Sequence, residues 1–341
     1  MKKILVICML ILSVNMMGCS SEKKIEKEYK SLVEDTKKDL FPVLMLEDGG
    51  SEIKYDNDLL SDNNKDYEKI AWTIKDIEII SPAGILCREK DLLVVDKDSS
   101  QIVCSDYEGN MLKCIGTMGN GKVEFMNPTG IAAFGNMIYI IDSGNKRVQV
   151  LDENFQFVKE IKTENESDPS IVYENIAVES EDTIYLCGDS LTSRSIDKWK
   201  NGEMVRIEEN YYGSLYGRDG KIYAVNRGNI AVDPNEKIMT VIAGKNNLFQ
   251  IKKDKMYPLC ELPEGLVINA FVVTEDSIVL NSNKLLKVYI FGKDGEYEKQ
   301  VAKFDEWKQK ADLRNYLAVQ GEEAVWISNP STGEIFCMRK K

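Results

Sequence analysis

The 341 residues include no histidine. That one absence removes the Ser-His-Asp triad, the Cys-His pair, the imidazole metal ligand and the imidazole base. What remains able to do chemistry is a set of cysteines, an excess of carboxylates and a few arginines near tyrosines. Apart from Cys8 and Cys19, the cysteines are Cys87, Cys104, Cys114, Cys187, Cys260 and Cys337, with no C-x-x-C spacing among them. They fall in apolar runs such as Ile85-Leu86-Cys87 and Tyr185-Leu186-Cys187, which points to free core thiols acting as small hydrophobes. The pair on neighbouring strands is Cys104 and Cys114. Counting back from a tight turn at Glu108-Gly109 sets Cys104 opposite Lys113, so a bond would need a register shift or a bulge.

The carboxylates and carboxamides follow a pattern. Asp96, Asp142, Asn226, Asn281 and Asn329 each close a short apolar run, and Gly188 holds the corresponding place in a sixth. A ring of such oxygens could hold a metal. Only two of the six are charged, however, and Asp and Asn also start turns by bonding their own backbone, so no metal and no cofactor is expected. Asp56-Asn57-Asp58 lacks the Gly and Glu of a calcium loop. The most aromatic stretch is Tyr211-Tyr212-Gly213-Ser214-Leu215-Tyr216-Gly217, with Arg227 nearby. Tyr212, Tyr216 and Arg227, with Arg147 and with Arg194 in a turn, are the candidate contacts for a sugar or peptide. The competing reading makes these tyrosines strand residues. No catalytic residue is indicated.

The N-terminus reads as a targeting segment. Lys2 and Lys3 precede an apolar run from Ile4 to Val14 that is too short to span a bilayer but suits a signal peptide. The following Met16-Met17-Gly18-Cys19-Ser20 resembles the lipobox of bacterial lipoproteins, with Met where that family prefers Leu, Ala or Ser. The resemblance implies cleavage after residue 18 and acylation of Cys19, which would hold the protein outside the cell on its membrane. Losing Lys2 and Lys3 leaves 42 basic against 56 acidic residues, a net charge of −14. Such a surface argues against nucleic acid as a partner. Residues 19–65 form the lipidated cysteine and a charged tether, in which Phe41-Pro42-Val43-Leu44-Met45-Leu46 could be a strand or a packed arm.

The elements that must position any site begin near Ile77, where short β-branched and aromatic runs alternate with turns. Pro82-Ala83-Gly84-Ile85 returns 46 residues later as Pro128-Thr129-Gly130-Ile131. The same shift carries Leu92-Leu93-Val94-Val95-Asp96 onto Ile138-Tyr139-Ile140-Ile141-Asp142, Ile102 onto Val148 and Asp106 onto Asp152. The unit from Met118 to Asp152 resembles an NHL repeat: a glycine-rich lead-in, a Pro-x-Gly-Ile strand, an apolar strand ending in Asp, then Ser143-Gly144-Asn145 and Arg147. In NHL repeats the Asp and Arg, here Asp142 and Arg147, help fix the turn between second and third strands. The first unit has Gln101 in place of the Arg.

The second strand recurs at Ile184, Ile222, Ser277 and Val325, giving six units of about 44 residues. An all-β, six-bladed propeller of four-stranded antiparallel blades over residues 66–341 is therefore expected. The last unit stops one strand short after Met338, and Lys69 to Ile74 or Asp76 to Ile80 can supply the missing strand and remove an open edge. A seven-bladed ring using residues 41–75 is the alternative. The leading functional expectation is a non-catalytic binding or scaffold module for a peptide, glycan or protein. The alternatives are an enzyme resembling the propeller lyases and gluconolactonase-type hydrolases, or a structural subunit of an envelope complex.

Overall fold

The computed structural model describes residues 66–190, 194–209, 211, 213–226, 229–233, 238–242, 246–262, 268, 270–282, 287–303, 316–329 and 332–341. Cys19, the signal segment and the tether lie outside them. The described strands form six four-stranded antiparallel sheets, and a seven-sheet ring is not formed.

Blade one runs Pro82–Cys87, Leu92–Asp96, Gln101–Ser105 and Met111–Ile115. Blade two runs Pro128–Phe134, Met137–Asp142, Arg147–Leu151 and Phe157–Lys162. Blade three follows with Val172–Ser180, Thr183–Asp189, Arg194–Lys200 and Glu203–Glu209. Blade four takes Gly213–Arg218, Lys221–Asn226, Asn246–Lys252 and Lys255–Leu262, with an extra hairpin of Asn229–Asp233 and Ile238–Ile242 ahead of its third strand. Blade five is Ala270–Val273, Ser277–Ser282, Lys287–Gly292 and Tyr297–Lys303.

Blade six closes the ring. Its first three strands, Tyr316–Gln320, Ala324–Asn329 and Glu334–Lys340, come from the C-terminus, and its outer strand is the N-terminal Tyr67–Trp72. Tyr67 pairs with Lys340 and Trp72 with Ile335. Of the two closing segments the sequence allowed, the first does the work.

The apolar side chains form six layers, one in each gap between neighbouring blades. Tyr139 and Ile141 of blade two, for example, meet Val178 and Ile184 of blade three. Middle strands touch a layer on each face, so Leu92–Asp96 is buried at every position and reads as a continuous apolar run. Outer strands have one wet face, and Phe157–Lys162 alternates accordingly. The closing gap is the most aromatic: Trp326 is fully buried, with Trp72 edge-on at 5.3 Å and Tyr107 at 5.6 Å.

The six described cysteines are unbonded. Cys104 does lie opposite Lys113, and the ladder bulges between Cys104 and Ser105, yet Cys114 stays paired with Val103. Cys114 departs from the expected core position. It is exposed on the outer strand, its thiol 3.0 Å from the Gln101 side chain.

Candidate functional site

The first strands of all six blades surround a central channel of about 300 Å³. Its wall comprises residues 84–87, 130–133, 174–176, 213–219, 270–271 and 316–319, with Tyr211 and Cys187–Asp189 from behind. The Pro-x-Gly motif has its physical reason here. A Cβ on Gly84 would meet the Thr129 carbonyl at 2.9 Å, and one on Gly130 would meet the Glu174 carbonyl at 3.0 Å. Glycine lets the innermost strands of neighbouring blades touch.

Small residues and aliphatic side chains share the wall with polar backbone and side-chain groups, and the charges sit towards its ends. Glu174 and Asp189 lie where the first strands begin, whereas Arg218 and Asp219 lie where the blade-four strand ends. Arg218 is the one cationic residue of the lining among the described residues. Its Nε donates to Asp219 Oδ2 at 3.2 Å and its Nη1 to the Val273 carbonyl at 3.3 Å, tying blade four to blade five. Halfway along, the Leu215 N–H donates to Asn175 Oδ1 at 2.6 Å. Burial pushes the Tyr216 phenol up to about 12, and Arg218 opposes that shift. Burial also raises the Cys87 thiol, so Cys87 offers no thiolate at neutral pH.

The anticipated contact residues separate. Tyr216 lines the channel. Arg194 is not in a turn: it opens the third strand of blade three and pairs with the channel residue Asp189. Tyr212 and Arg227 lie outside the described residues. Arg147 is absent from the channel wall and buried, with every nitrogen engaged. Nε donates to Asp142 Oδ2 at 2.8 Å, Nη1 to Glu160 Oε2 at 2.9 Å, and Nη2 to the carbonyls of Gly121 and Glu124. It holds the lead-in loop with four of its five N–H donors.

The strand-ending aspartates also act differently from the sequence expectation. Asp96 accepts from the backbone of Ile80 and Ser81, and Asp142 from that of Met126. They fasten the segment entering the same blade, about fifteen residues upstream, rather than the backbone of their own turn, and Asp142 also takes the side chains of Asn145 and Arg147 across that turn. In blade three, with Gly188 at that place, a buried carboxylate appears instead at Asp197, which accepts from Tyr173, Ser195 and Arg206. No group of three or more potential metal ligands occurs among the described residues.

Sequence reasoning missed Arg218 and the residue-by-residue lining. Each strand gives the wall only a few residues, so no local motif marks it.

Residues 71–265 match the DUF5128 family model, 6-bladed beta-propeller. The chain belongs to that family. No curated protein matches it. Among solved structures, it is similar to virginiamycin B lyase from Staphylococcus aureus at 10% identity and a TM-score of 0.53, over 81% of this chain and 100% of the lyase. A histidine-to-alanine form of that lyase, described as catalytically inactive, is similar to the same degree. A Bacteroides thetaiotaomicron protein of unknown function gives 12% identity and a TM-score of 0.56, over 81% of this chain and 73% of that one. A gluconolactonase from Xanthomonas campestris gives 11% and 0.54, over 77% and 87%. At these identities the likeness is one of fold, which the family shares with enzymes and with proteins of unknown function alike.

Proposed function

We propose that this propeller is a non-catalytic binding module, carried outside the cell on a lipid at Cys19, that takes a peptide, glycan or protein segment at its central channel. The observation that carries this reading is the channel itself: concave, with polar and apolar surface in comparable shares and charged groups at its ends. Its volume suits a side chain or a single sugar more than a whole substrate. The chain has no histidine, whereas the lyase of similar fold is inactive once a histidine is replaced. The lining thiol Cys87 and phenol Tyr216 are both held protonated by burial, which suits hydrogen bonding better than nucleophilic or base chemistry.

The test is binding of detergent-solubilised full-length protein to glycan and peptide arrays, with Ala132→Arg as the channel-filling variant. Retention of a ligand by the native protein, its loss in the variant and its recovery chemically unchanged are expected. Conversion of the bound compound, or stoichiometric zinc or calcium in the purified protein, would overturn the non-catalytic reading. The anchor is tested separately: Cys19→Ala should abolish acyl labelling and release the protein from membranes or leave it unprocessed.

A further inference from the structure

A second cavity, about 520 Å³, runs between blades five and six on the face that carries the turns between first and second strands. It meets the channel at Tyr216, Arg218 and Val319, which line both. Its floor is apolar, made by Val272, Ile290, Val319 and Val325 with the rings of Tyr67 and Tyr216. The rim is charged, and the charges do not balance. Arg218 is paired with Asp219, and Lys299 lies 4.0 Å from Asp66. Glu275, Asp276, Glu298 and Glu322 are exposed and, among the described residues, meet no cation, leaving only Lys340 against them. The field they make registers on Tyr67: burial raises its phenol pKa first, and Asp66, Glu322 and Glu298 raise it further.

We propose that this groove docks a segment of a partner protein in which apolar side chains alternate with lysine or arginine. An extended segment puts alternate side chains on opposite sides. One set would cover Val319 and Tyr216 while the other reaches the four carboxylates on the rim. Charge complementarity selects the occupant: an acidic segment would meet uncompensated like charge, and a purely apolar one would leave the rim unused. The groove stands on its own geometry and does not require the channel to hold a ligand.

The experiment uses detergent-solubilised full-length protein and a fluorescein-labelled peptide of alternating leucine and lysine, read by anisotropy. Two further peptides replace its lysines by glutamate or its leucines by serine. The leucine–lysine peptide should bind at least tenfold more tightly than either. Combining Glu275→Gln, Asp276→Asn, Glu298→Gln and Glu322→Gln should weaken it about tenfold or more. A matched control neutralises four exposed glutamates on other blades, Glu89, Glu108, Glu153 and Glu203, and should bind like the native protein. Equal loss in both variants would assign the binding to overall negative charge and overturn the groove. So would undiminished binding by the groove variant or tight binding of the serine peptide. Because all four substitutions lie on exposed turns or an outer strand, folding is checked by a denaturation midpoint equal to that of the control.

Discussion

Arg147 Nε lies 2.8 Å from Asp142 Oδ2, and the Asp142 side chain is wholly shielded from water. Asn145 and Gln149 also donate to that oxygen, while Oδ1 takes the Met126 N–H. One carboxylate thereby joins the lead-in loop, the second strand and the third strand of blade two.

Removing only the arginine should be costly. Arg147→Met leaves Asp142 buried without its counter-charge, for which about 3–5 kcal/mol is the usual loss. Denaturant unfolding should show it, whereas ligand retention by the folded variant should be unchanged. Loss of ligand at full stability would reverse the structural assignment of Arg147.

Gly130→Ala forces a Cβ to 2.7 Å from Ile141 Cδ1 and 3.0 Å from the Glu174 carbonyl, across the gap to blade three. Overpacking of this kind costs about 1–3 kcal/mol. Gly135 makes the contrast: its φ is +55° with open space around it, so Gly135→Asn should be nearly neutral. Similar melting temperatures for both variants would contradict the close-approach argument.

The aromatic closure should carry much of the ring's stability. Trp326→Ala removes a fully buried indole between Trp72 and Tyr107, a change worth about 3–5 kcal/mol. Deleting Tyr67–Trp72 exposes the edge of Glu334–Lys340 and should promote self-association. Light scattering that shows the truncated form monomeric would count against it.

Alkaline pH should unfold the protein through its buried phenols. Burial raises Tyr139 and Tyr216 to about 12, with Glu181 and Asp182 adding to the shift at Tyr139. An unfolded tyrosine ionises near about 10. The folded state holds these protons longer, so their stabilisation is whole below about pH 10 and is lost as pH rises towards about 12. Urea midpoints at about pH 8 and about pH 11 should differ accordingly, and phenolate absorbance should show several tyrosines lagging, since burial also raises Tyr67, Tyr107, Tyr173, Tyr185 and Tyr223. Equal midpoints would refute the assignment.

Much of the ring could be read from the residues because each blade repeats a local hydrogen-bonded pattern. The shift of 46 marked blades one and two, and the later second strands kept their apolar run where turns and lead-ins had diverged. Even the offset of Cys104 from Cys114 followed from counting out of one turn. The extra hairpin of blade four left no trace, because its two strands have the same texture as the blade strands around them. The channel and groove were invisible for a different reason. Glu275, Glu298 and Glu322 come together only because blades five and six are neighbours, and each alone is an ordinary surface glutamate.

The strand Tyr67–Trp72 is both the latch of the ring and the first propeller element after the proposed tether. Its first residue pairs with Lys340, so tension arriving through Asp66 would fall first on the Tyr67 rung of the ladder and last on that of Trp72. Drag on a bound partner would therefore reach blade six through this strand before it reached the other five. On the proposed lipid anchor, the seam between Tyr67–Trp72 and Glu334–Lys340 is where the ring would first meet that load.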